Sequence, residues 1–242
     1  MARFFGGAMV EIDPAWKMEI PENQNIAAML KFPPAYYKDR IKKLGFTGKD
    51  AILLDAGCGA GYWSVAASYF NKKVCGIDLA EKYLSYAKTL KKKFNRANID
   101  LKSGKIEKLP YKDNYFDYII CYSVWMFTDK EKALKEFYRV LKPSGKIYLG
   151  SIIGYSWYPR LIVQGIGQGK ISLVVDCLRA IYKKIPSTAM GTKKILEDNG
   201  FSAIKLSSDA NIGNQKIKVK PIYNAKRWGF WEIFEVLAEK IK

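Results

Sequence analysis

A glycine-rich turn between an apolar run and a helix-like segment constrains the fold of this chain more than any other feature. The run at residues 51–56 is dense in aliphatic side chains, as in a central strand covered on both faces. Gly57, Gly59 and Gly61 follow it, and the residues from Tyr62 to Phe70 are typical of a helix start. Because glycine adopts positive φ and has no Cβ, a ligand can lie close to such a turn. The stretch therefore predicts a binding turn.

The spacing within the turn argues against a phosphate-bearing ligand. A dinucleotide site needs G-x-G-x-x-G, but Tyr62 stands where the third glycine would be, and no Lys-Ser or Lys-Thr pair follows as in a P-loop. Asp55, two residues before the first glycine, would repel a pyrophosphate. Asp78 ends the next apolar run, where a carboxylate can accept both hydroxyls of a ribose. The two acids predict a cationic nucleoside without phosphates, and S-adenosylmethionine is the common one.

Four ordered blocks of the sequence resemble the class I S-adenosylmethionine-dependent methyltransferases. Residues 55–61 look like the first glycine-rich motif of that family, and Asp78 looks like its ribose-binding acid. Residues 103–111, with 116–121, resemble the adenine-side loop and the fourth strand, and residues 140–149 resemble the turn into the fifth strand. Four blocks in order are far more specific than one glycine motif. The competing interpretation is a generic doubly wound domain whose glycines only turn the chain.

The resemblance implies an α/β fold with a doubly wound, mostly parallel sheet of seven strands. The last strand is expected to be antiparallel, and a helical insertion is expected after the fifth strand. One globular domain would then have four segments. These are a helical N-terminal cap (1–48), a cofactor-binding core (49–152), a helical insertion that covers the substrate (153–187), and a segment that completes the sheet and ends in a helix (188–242).

Apolar periodicity predicts the individual elements. The expected helices are 25–30, 35–44, 62–70, 79–94, 129–141, 172–185 and 190–199. The expected strands are 51–56, 73–78, 99–103, 115–122, 145–152, 201–207 and 216–220. A last helix is expected over Ala225–Lys242, because Trp228, Trp231, Phe234, Leu237 and Ile241 recur at helical intervals.

The expected cofactor contacts lie where strands end, since ligands of open α/β sheets bind outside the carboxyl ends of the strands. Relatives place an acid beside the adenine where this chain has Lys105, which leaves adenine recognition to Ile106 and Glu107. Cys121 and Tyr122 end the fourth strand and are expected to flank the sulfonium. The complete expected set is Asp55, Ala56, Gly57, Cys58, Gly59, Gly61, Asp78, Leu79, Lys105, Ile106, Glu107, Cys121 and Tyr122.

Aromatic residues supply the candidates for contact with the methyl acceptor, which are Tyr36, Tyr37, Trp125, Tyr155, Trp157 and Tyr158. The two N-terminal tyrosines, with Arg40, are also candidates for the carboxylate of the cofactor, although packing against the first strand explains them equally well. The aromatic cluster at residues 154–160 has three interpretations. It lines an acceptor pocket, it fixes the insertion to the core, or its segment touches a membrane or another subunit.

Composition limits the chemistry that the chain can perform. The formal charge of +18 attracts polyanions such as RNA or an anionic membrane, but it is also typical of a well-solvated surface. The chain contains no His, which excludes a histidine dyad or triad and histidine metal ligands. The four separated Cys residues indicate neither a zinc site nor a disulfide framework, so we expect no metal and a reducing, cytoplasmic setting. No uncharged run reaches the ~20 residues of a transmembrane helix.

The leading functional hypothesis is a methyltransferase that acts on a small molecule by in-line transfer, without a metal or a histidine base. An RNA methyltransferase that uses the basic surface is the first alternative, although no N-P-P-Y or D-P-P-Y follows the fourth strand. A protein that binds S-adenosylmethionine without catalysis is the second. Any base must be a carboxylate, Tyr, Lys or solvent, and the sequence assigns none. The oligomeric state stays open.

Overall fold

A computed structural model describes residues 32–183, 187–208, 212, 226–227, 230–231 and 233–241 of the chain. Helices and strands alternate along most of this length, as expected for βαβ units. The helices are α1 (Pro34–Leu44), α2 (Tyr62–Ser68), α3 (Glu81–Lys93), α4 (Lys130–Val140), α5 (Trp157–Gly167), α6 (Ile171–Tyr182) and α7 (Ala189–Asp198), with a 3₁₀ turn at Trp125–Phe127. The strands are β1 (Gly48–Ala56), β2 (Asn71–Asp78), β3 (Ile99–Ser103), β4 (Phe116–Tyr122), β5 (Leu141–Ile153), β6 (Phe201–Ser208), β7 (Lys226–Arg227), β8 (Phe230–Trp231) and β9 (Ile233–Lys240).

Seven of the strands form one sheet in the order β3-β2-β1-β4-β5-β9-β6. The pairs from β3 to β5 are parallel, whereas β9 runs antiparallel to both β5 and β6. The predicted doubly wound sheet with an antiparallel last strand is therefore confirmed. The strand order reverses at β1, which pairs with β2 on one side and β4 on the other. This switch point opens a crevice at the carboxyl ends of β1 and β4.

Both faces of the sheet are buried at its central strands, which explains why β1, β4 and β5 contain continuous apolar runs. Leu54 and Ile119 lie in a core cluster shared with Phe137 of α4. Their chain neighbours Leu53 and Ile120 belong to a second cluster, shared with α1, α2 and α3. Neighbouring residues of a strand point to opposite faces, so β1 and β4 supply side chains to both clusters. The two strands whose ends form the crevice are therefore packed on both faces.

The C-terminal helix expected over Ala225–Lys242 is wrong, because the structure forms β9 at residues 233–240. This strand lies between β5 and β6, and most of its side chains on both faces of the sheet are buried. Phe234 and Val236 belong to the first core cluster, while Leu237 packs against the second. Apolar residues on both faces hide the two-residue alternation of a strand, and the remaining pattern imitates a helix. The expected helix 25–30 and strand 216–220 lie outside the described residues.

A buried ion pair fixes α1 to the sheet. Arg40 lies 2.7 Å from a carboxylate oxygen of Glu235 on β9, and both side chains are almost completely buried. The hydroxyl of Tyr148 donates to the same carboxylate at 2.6 Å, and the backbone N–H of Ile212 donates to its other oxygen. A buried charge pair needs such additional bonds to offset its lost hydration. The Arg40 guanidinium, which was a candidate to bind the carboxylate of the cofactor, therefore bonds to Glu235 and Tyr148 in the structure.

The insertion after β5 is a helical hairpin of α5 and α6. The helix expected over residues 172–185 corresponds to α6, whereas the aromatic cluster becomes the start of α5. Gly154 and Ser187 form a bridge where the insertion leaves and rejoins the sheet. A third apolar cluster joins the hairpin to β9. Because β5 ends at this point, the hairpin is anchored at the carboxyl edge of the sheet.

Candidate cofactor-binding site

The turn between β1 and α2 has the backbone that the sequence predicts. Gly57 and Gly61 adopt φ of 75° and 84°, in the region that favours glycine. The N–H of Gly57 donates to the carbonyl of Ile77 at 2.8 Å, which fixes the turn to the end of β2. A Cβ on Gly61 would lie 2.8 Å from the Cβ of Ala87 on α3. Gly61 therefore allows α2 and α3 to approach closely, while Gly57 faces the crevice.

Asp78 connects the ends of two strands. One carboxylate oxygen accepts the N–H of Gly59 at 2.8 Å, and the other accepts the N–H of Ala80 at 2.9 Å. A carboxylate offers about four acceptor positions, so each oxygen keeps capacity for one more donor. The side chain is half-buried at the crevice, where a vicinal diol could donate to both oxygens. This geometry suits the expected role in ribose binding.

Asp55 occupies a different environment, since it is 1% exposed. Its carboxylate accepts the hydroxyl of Ser64 at 2.6 Å. Burial, with a smaller contribution from the charge of Asp78, raises the pKa of Asp55 from 3.8 to about 7. Its charge state near neutral pH thus depends on the charges around it, and a nearby cation would favour the ionised form.

A cleft of about 490 Å³ opens between these strand ends. Its lining combines carboxylates, two lysines and apolar side chains. The residues are Gly57, Asp78, Leu79, Gly104, Lys105, Ile106, Glu107, Val124, Phe127, Thr128, Asp129 and Lys132. Three acids against two lysines leave a slight negative balance, which favours a cationic ligand over a pyrophosphate. The volume lies within the ~300–1,000 Å³ range of small-molecule sites.

Comparison with known proteins places the chain in a family of methyltransferases. A family model described as "Methyltransferase domain" matches residues 54–149. A demethylmenaquinone methyltransferase of Oceanobacillus iheyensis is 34% identical over 192 residues, which cover 72% of this chain and 79% of that protein. The chain belongs to the class I S-adenosylmethionine-dependent methyltransferases. It is an enzyme of that class, and its cofactor is S-adenosylmethionine.

Solved structures show the same fold at low sequence identity. The YcgJ protein of Bacillus subtilis superimposes with a TM-score of 0.60 at 18% identity, over 86% of this methyltransferase and 99% of that chain. Phosphoethanolamine N-methyltransferase 2 of Haemonchus contortus, solved in complex with S-adenosyl-L-methionine, also gives 0.60 at 18% identity, over 86% of this chain and 52% of that one. Such identities establish the fold alone. The comparisons give no support to the RNA or non-catalytic alternatives.

The residues around the cleft fit S-adenosylmethionine. Gly57 lies in the lining and allows Val124 to pack closely, since a Cβ there would clash with a methyl group of Val124, and Asp78 keeps acceptor capacity for further donors. Leu79 and Ile106, which were predicted to contact the adenine or its surroundings, are apolar residues of the lining, and Glu107 is in the same lining. Glu107 also accepts the N–H of Asp129 at 3.2 Å, which connects the loop after β3 with the start of α4.

Other residues expected to contact the cofactor lie behind this surface. Ala56 and Cys121 are fully buried in the core. The N–H of Cys58 donates to the carbonyl of Ile77, and burial raises the pKa of its thiol well above the usual range. A neutral thiol is a poor nucleophile, so covalent chemistry at Cys58 is disfavoured, and its contact with the cofactor stays a prediction. Tyr122 is half-buried with its ring centroid 5.3 Å from that of Trp63.

One wall of the cleft consists of residues that were not predicted from the sequence. Val124, Phe127 and Thr128 lie in the loop after β4, and Asp129 and Lys132 begin α4. Asp129 is the N-cap of α4 and accepts the N–H of Lys132 at 3.3 Å. The signal that could have found these residues was position, because they directly follow a strand that ends at the switch point.

The expected acceptor residues near the N-terminus and after β4 pack inside the protein. Tyr36 stacks on Phe32 with ring centroids 4.4 Å apart. Tyr37 is buried against Tyr62, and Trp125 is 1% exposed in the first core cluster. Packing therefore accounts for all three, and a contact with the acceptor stays a prediction.

The three residues of the insertion that were predicted to contact the acceptor differ in solvent exposure. Trp157 and Tyr158 are buried in the cluster that joins α5, α6 and β9, whereas Tyr155 is 46% exposed. The insertion also contacts the start of α4, where the Lys130 ammonium donates to the Ser187 hydroxyl at 2.8 Å. Since Asp129 precedes Lys130 and lines the cleft, the base of the insertion lies beside the cofactor site.

Proposed function

We propose that this methyltransferase transfers a methyl group to an apolar, ring-bearing small molecule held between the cleft and the base of the insertion. The contact of Lys130 with Ser187 carries this proposal, because it places the insertion next to residues that line the cleft. Tyr155, exposed on the first turn of the insertion, is the residue proposed to contact the acceptor. The name of the Oceanobacillus relative supports a quinone acceptor, demethylmenaquinone, as the first compound to test.

Bound S-adenosylmethionine supplies a methyl group made electrophilic by the positive sulfonium. The proposed work of the protein is to position the two reactants and to exclude water. Asp78 would accept the ribose hydroxyls, and Ile106 would contact the adenine. A nearby cation would favour the ionised form of Asp55, and that carboxylate would in turn stabilise the positive charge from below the turn. No residue is assigned as a base.

The setting that we propose is cytoplasmic. All four cysteines are free thiols and buried, which agrees with a reducing compartment.

Methyl transfer from radiolabelled S-adenosylmethionine tests the proposal. Demethylmenaquinone in detergent should become labelled, and total RNA should not. Tyr155→Ala should raise the KM for the acceptor about tenfold, since about 1.5 kcal/mol of apolar contact is lost. The KM for S-adenosylmethionine should not change. Tyr69→Ala is the matched control, because Tyr69 is 37% exposed and lies between α2 and β2 at the opposite edge of the sheet. Labelled RNA with unlabelled quinone would contradict the proposal.

A further inference from the structure

Helix α6 exposes an apolar stripe to solvent. The stripe consists of Ile171, Val175, Leu178 and Tyr182, which are 76%, 37%, 53% and 87% exposed. These residues are spaced by four, three and four positions, so they lie on one face of the helix. The opposite face carries Cys177 and Ala180, which are buried against α5 and β9. The helix therefore has a second apolar face in addition to the one that packs.

Helix α5 also exposes apolar side chains. Val163 and Ile166 are 66% and 68% exposed and stand three residues apart, on the side away from the buried Leu161 and Gly165. The two helices are in close contact, since a Cβ on Gly165 would lie 2.9 Å from Val174. Scattered exposed apolar residues need no explanation, but four along one face of α6 mark an interaction surface.

Positive charge accompanies the apolar stripe. Lys170 precedes α6, Arg179 lies in its last turn, and Lys183 follows it. Arg179 is 72% exposed and lies 3.6 Å from Asp176, the one acid between residues 163 and 183. An apolar face bordered by Lys and Arg is the pattern of helices that lie in the plane of a membrane interface. A second copy of the chain would bring the same cations together, and each copy carries a formal charge of +18.

We propose that the α5–α6 hairpin docks this methyltransferase on the surface of a bilayer that contains anionic phospholipids. The apolar side chains would enter the region between headgroups and acyl chains, while the cations meet the phosphates. Every helix in the described part of the chain is too short or too polar to cross a bilayer, so the hairpin would lie on the surface. The hairpin is anchored at the carboxyl edge of the sheet, the same edge at which the cleft opens. This inference does not depend on the identity of the acceptor.

Sedimentation with vesicles tests the apolar part of the surface. The full chain should sediment with phosphatidylcholine vesicles that contain about 30% phosphatidylglycerol, and far less with phosphatidylcholine alone. Ile171→Gln with Leu178→Gln should lower the partition coefficient about tenfold or more. Ile241→Gln is the matched control, because Ile241 is 49% exposed after β9, at the opposite edge of the sheet, and should bind like the wild type.

A second pair of variants separates local contact from overall charge. Arg179→Gln with Lys183→Gln removes two charges at the hairpin, and Lys88→Gln with Lys92→Gln removes two exposed charges from α3. Local docking predicts a clear loss only for the hairpin pair, whereas equal losses would overturn it. Unchanged calorimetric affinity for S-adenosylmethionine shows that each variant is folded. Absence of binding to anionic vesicles, or a dimer in light scattering that Leu178→Gln dissociates, would also overturn the proposal.

Discussion

The buried carboxyl of Asp55 predicts a specific dependence of stability on pH. Its pKa is raised by burial to about 7 in the folded protein, against 3.8 ordinarily. The folded state therefore binds this proton more tightly than the unfolded chain does. The resulting contribution to stability is complete below pH 3.8 and is lost as the pH rises through about 7. Three pKa units correspond to roughly 4 kcal/mol at 1.36 kcal/mol each.

Asp55→Asn isolates this contribution, because the amide oxygen can still accept the Ser64 hydroxyl but the side chain cannot ionise. The free energy of unfolding, measured with urea at pH 4.5 and pH 8, should fall with pH in the wild type relative to the variant. The expected difference between the two pH values is roughly 3 kcal/mol. Because the chain contains no His, no imidazole group titrates near neutral pH and adds to this difference.

Asp198→Asn on the exposed last turn of α7 is the control and should follow the wild type at both pH values. Parallel pH profiles for the wild type and Asp55→Asn would refute the reasoning, since they would show that Asp55 titrates in the same way in the folded and unfolded chain.

Two further predictions concern stability, measured as the free energy of unfolding in urea. Gly61→Ala combines a φ of 84° with a Cβ placed 2.8 Å from Ala87, and should cost about 3 kcal/mol. Gly169→Ala, with a φ of 65° but open space around it, should cost only about 1 to 2 kcal/mol, and equal costs would contradict the packing argument. Arg40→Ala leaves Glu235 buried without its cation and should cost about 3 to 5 kcal/mol. A loss below 1 kcal/mol would show that the pair contributes little.

Much of the fold could be predicted because, in the core, the apolar pattern of each segment matches the burial of that segment in the folded protein. The turn after β1, with Asp55 and Asp78 at neighbouring strand ends, fixed the architecture, and β3 was predicted at its observed bounds. The prediction of a C-terminal helix, where the structure has the strand β9, was wrong for a physical reason. Phe234, Val236 and Leu237 are apolar on both faces of β9, and only its insertion between β5 and β6 makes that pattern a strand.

The site was less predictable because side-chain direction depends on packing that a single sequence does not display. Asp55 and Asp78 have similar sequence contexts, yet one is buried beneath the turn and the other faces the cleft. Trp157 and Tyr155 are two residues apart, but the first joins an apolar cluster and the second is exposed. Phe127 lines the cleft although its sequence carries no motif.

Calorimetric titration of the wild type and Asp78→Asn with S-adenosylmethionine tests whether the cleft binds a cationic nucleoside through Asp78. We expect the wild type to bind this cofactor in preference to NAD or ATP. Loss of charge-assisted bonds in the variant should weaken binding by about 1.5 to 3 kcal/mol, which is about 10- to 150-fold. Asp100→Asn on the neighbouring strand β3, where Asp100 pairs with Lys73, should bind as the wild type does. Unchanged affinity in Asp78→Asn, or displacement of S-adenosylmethionine by NAD or ATP, would contradict the account.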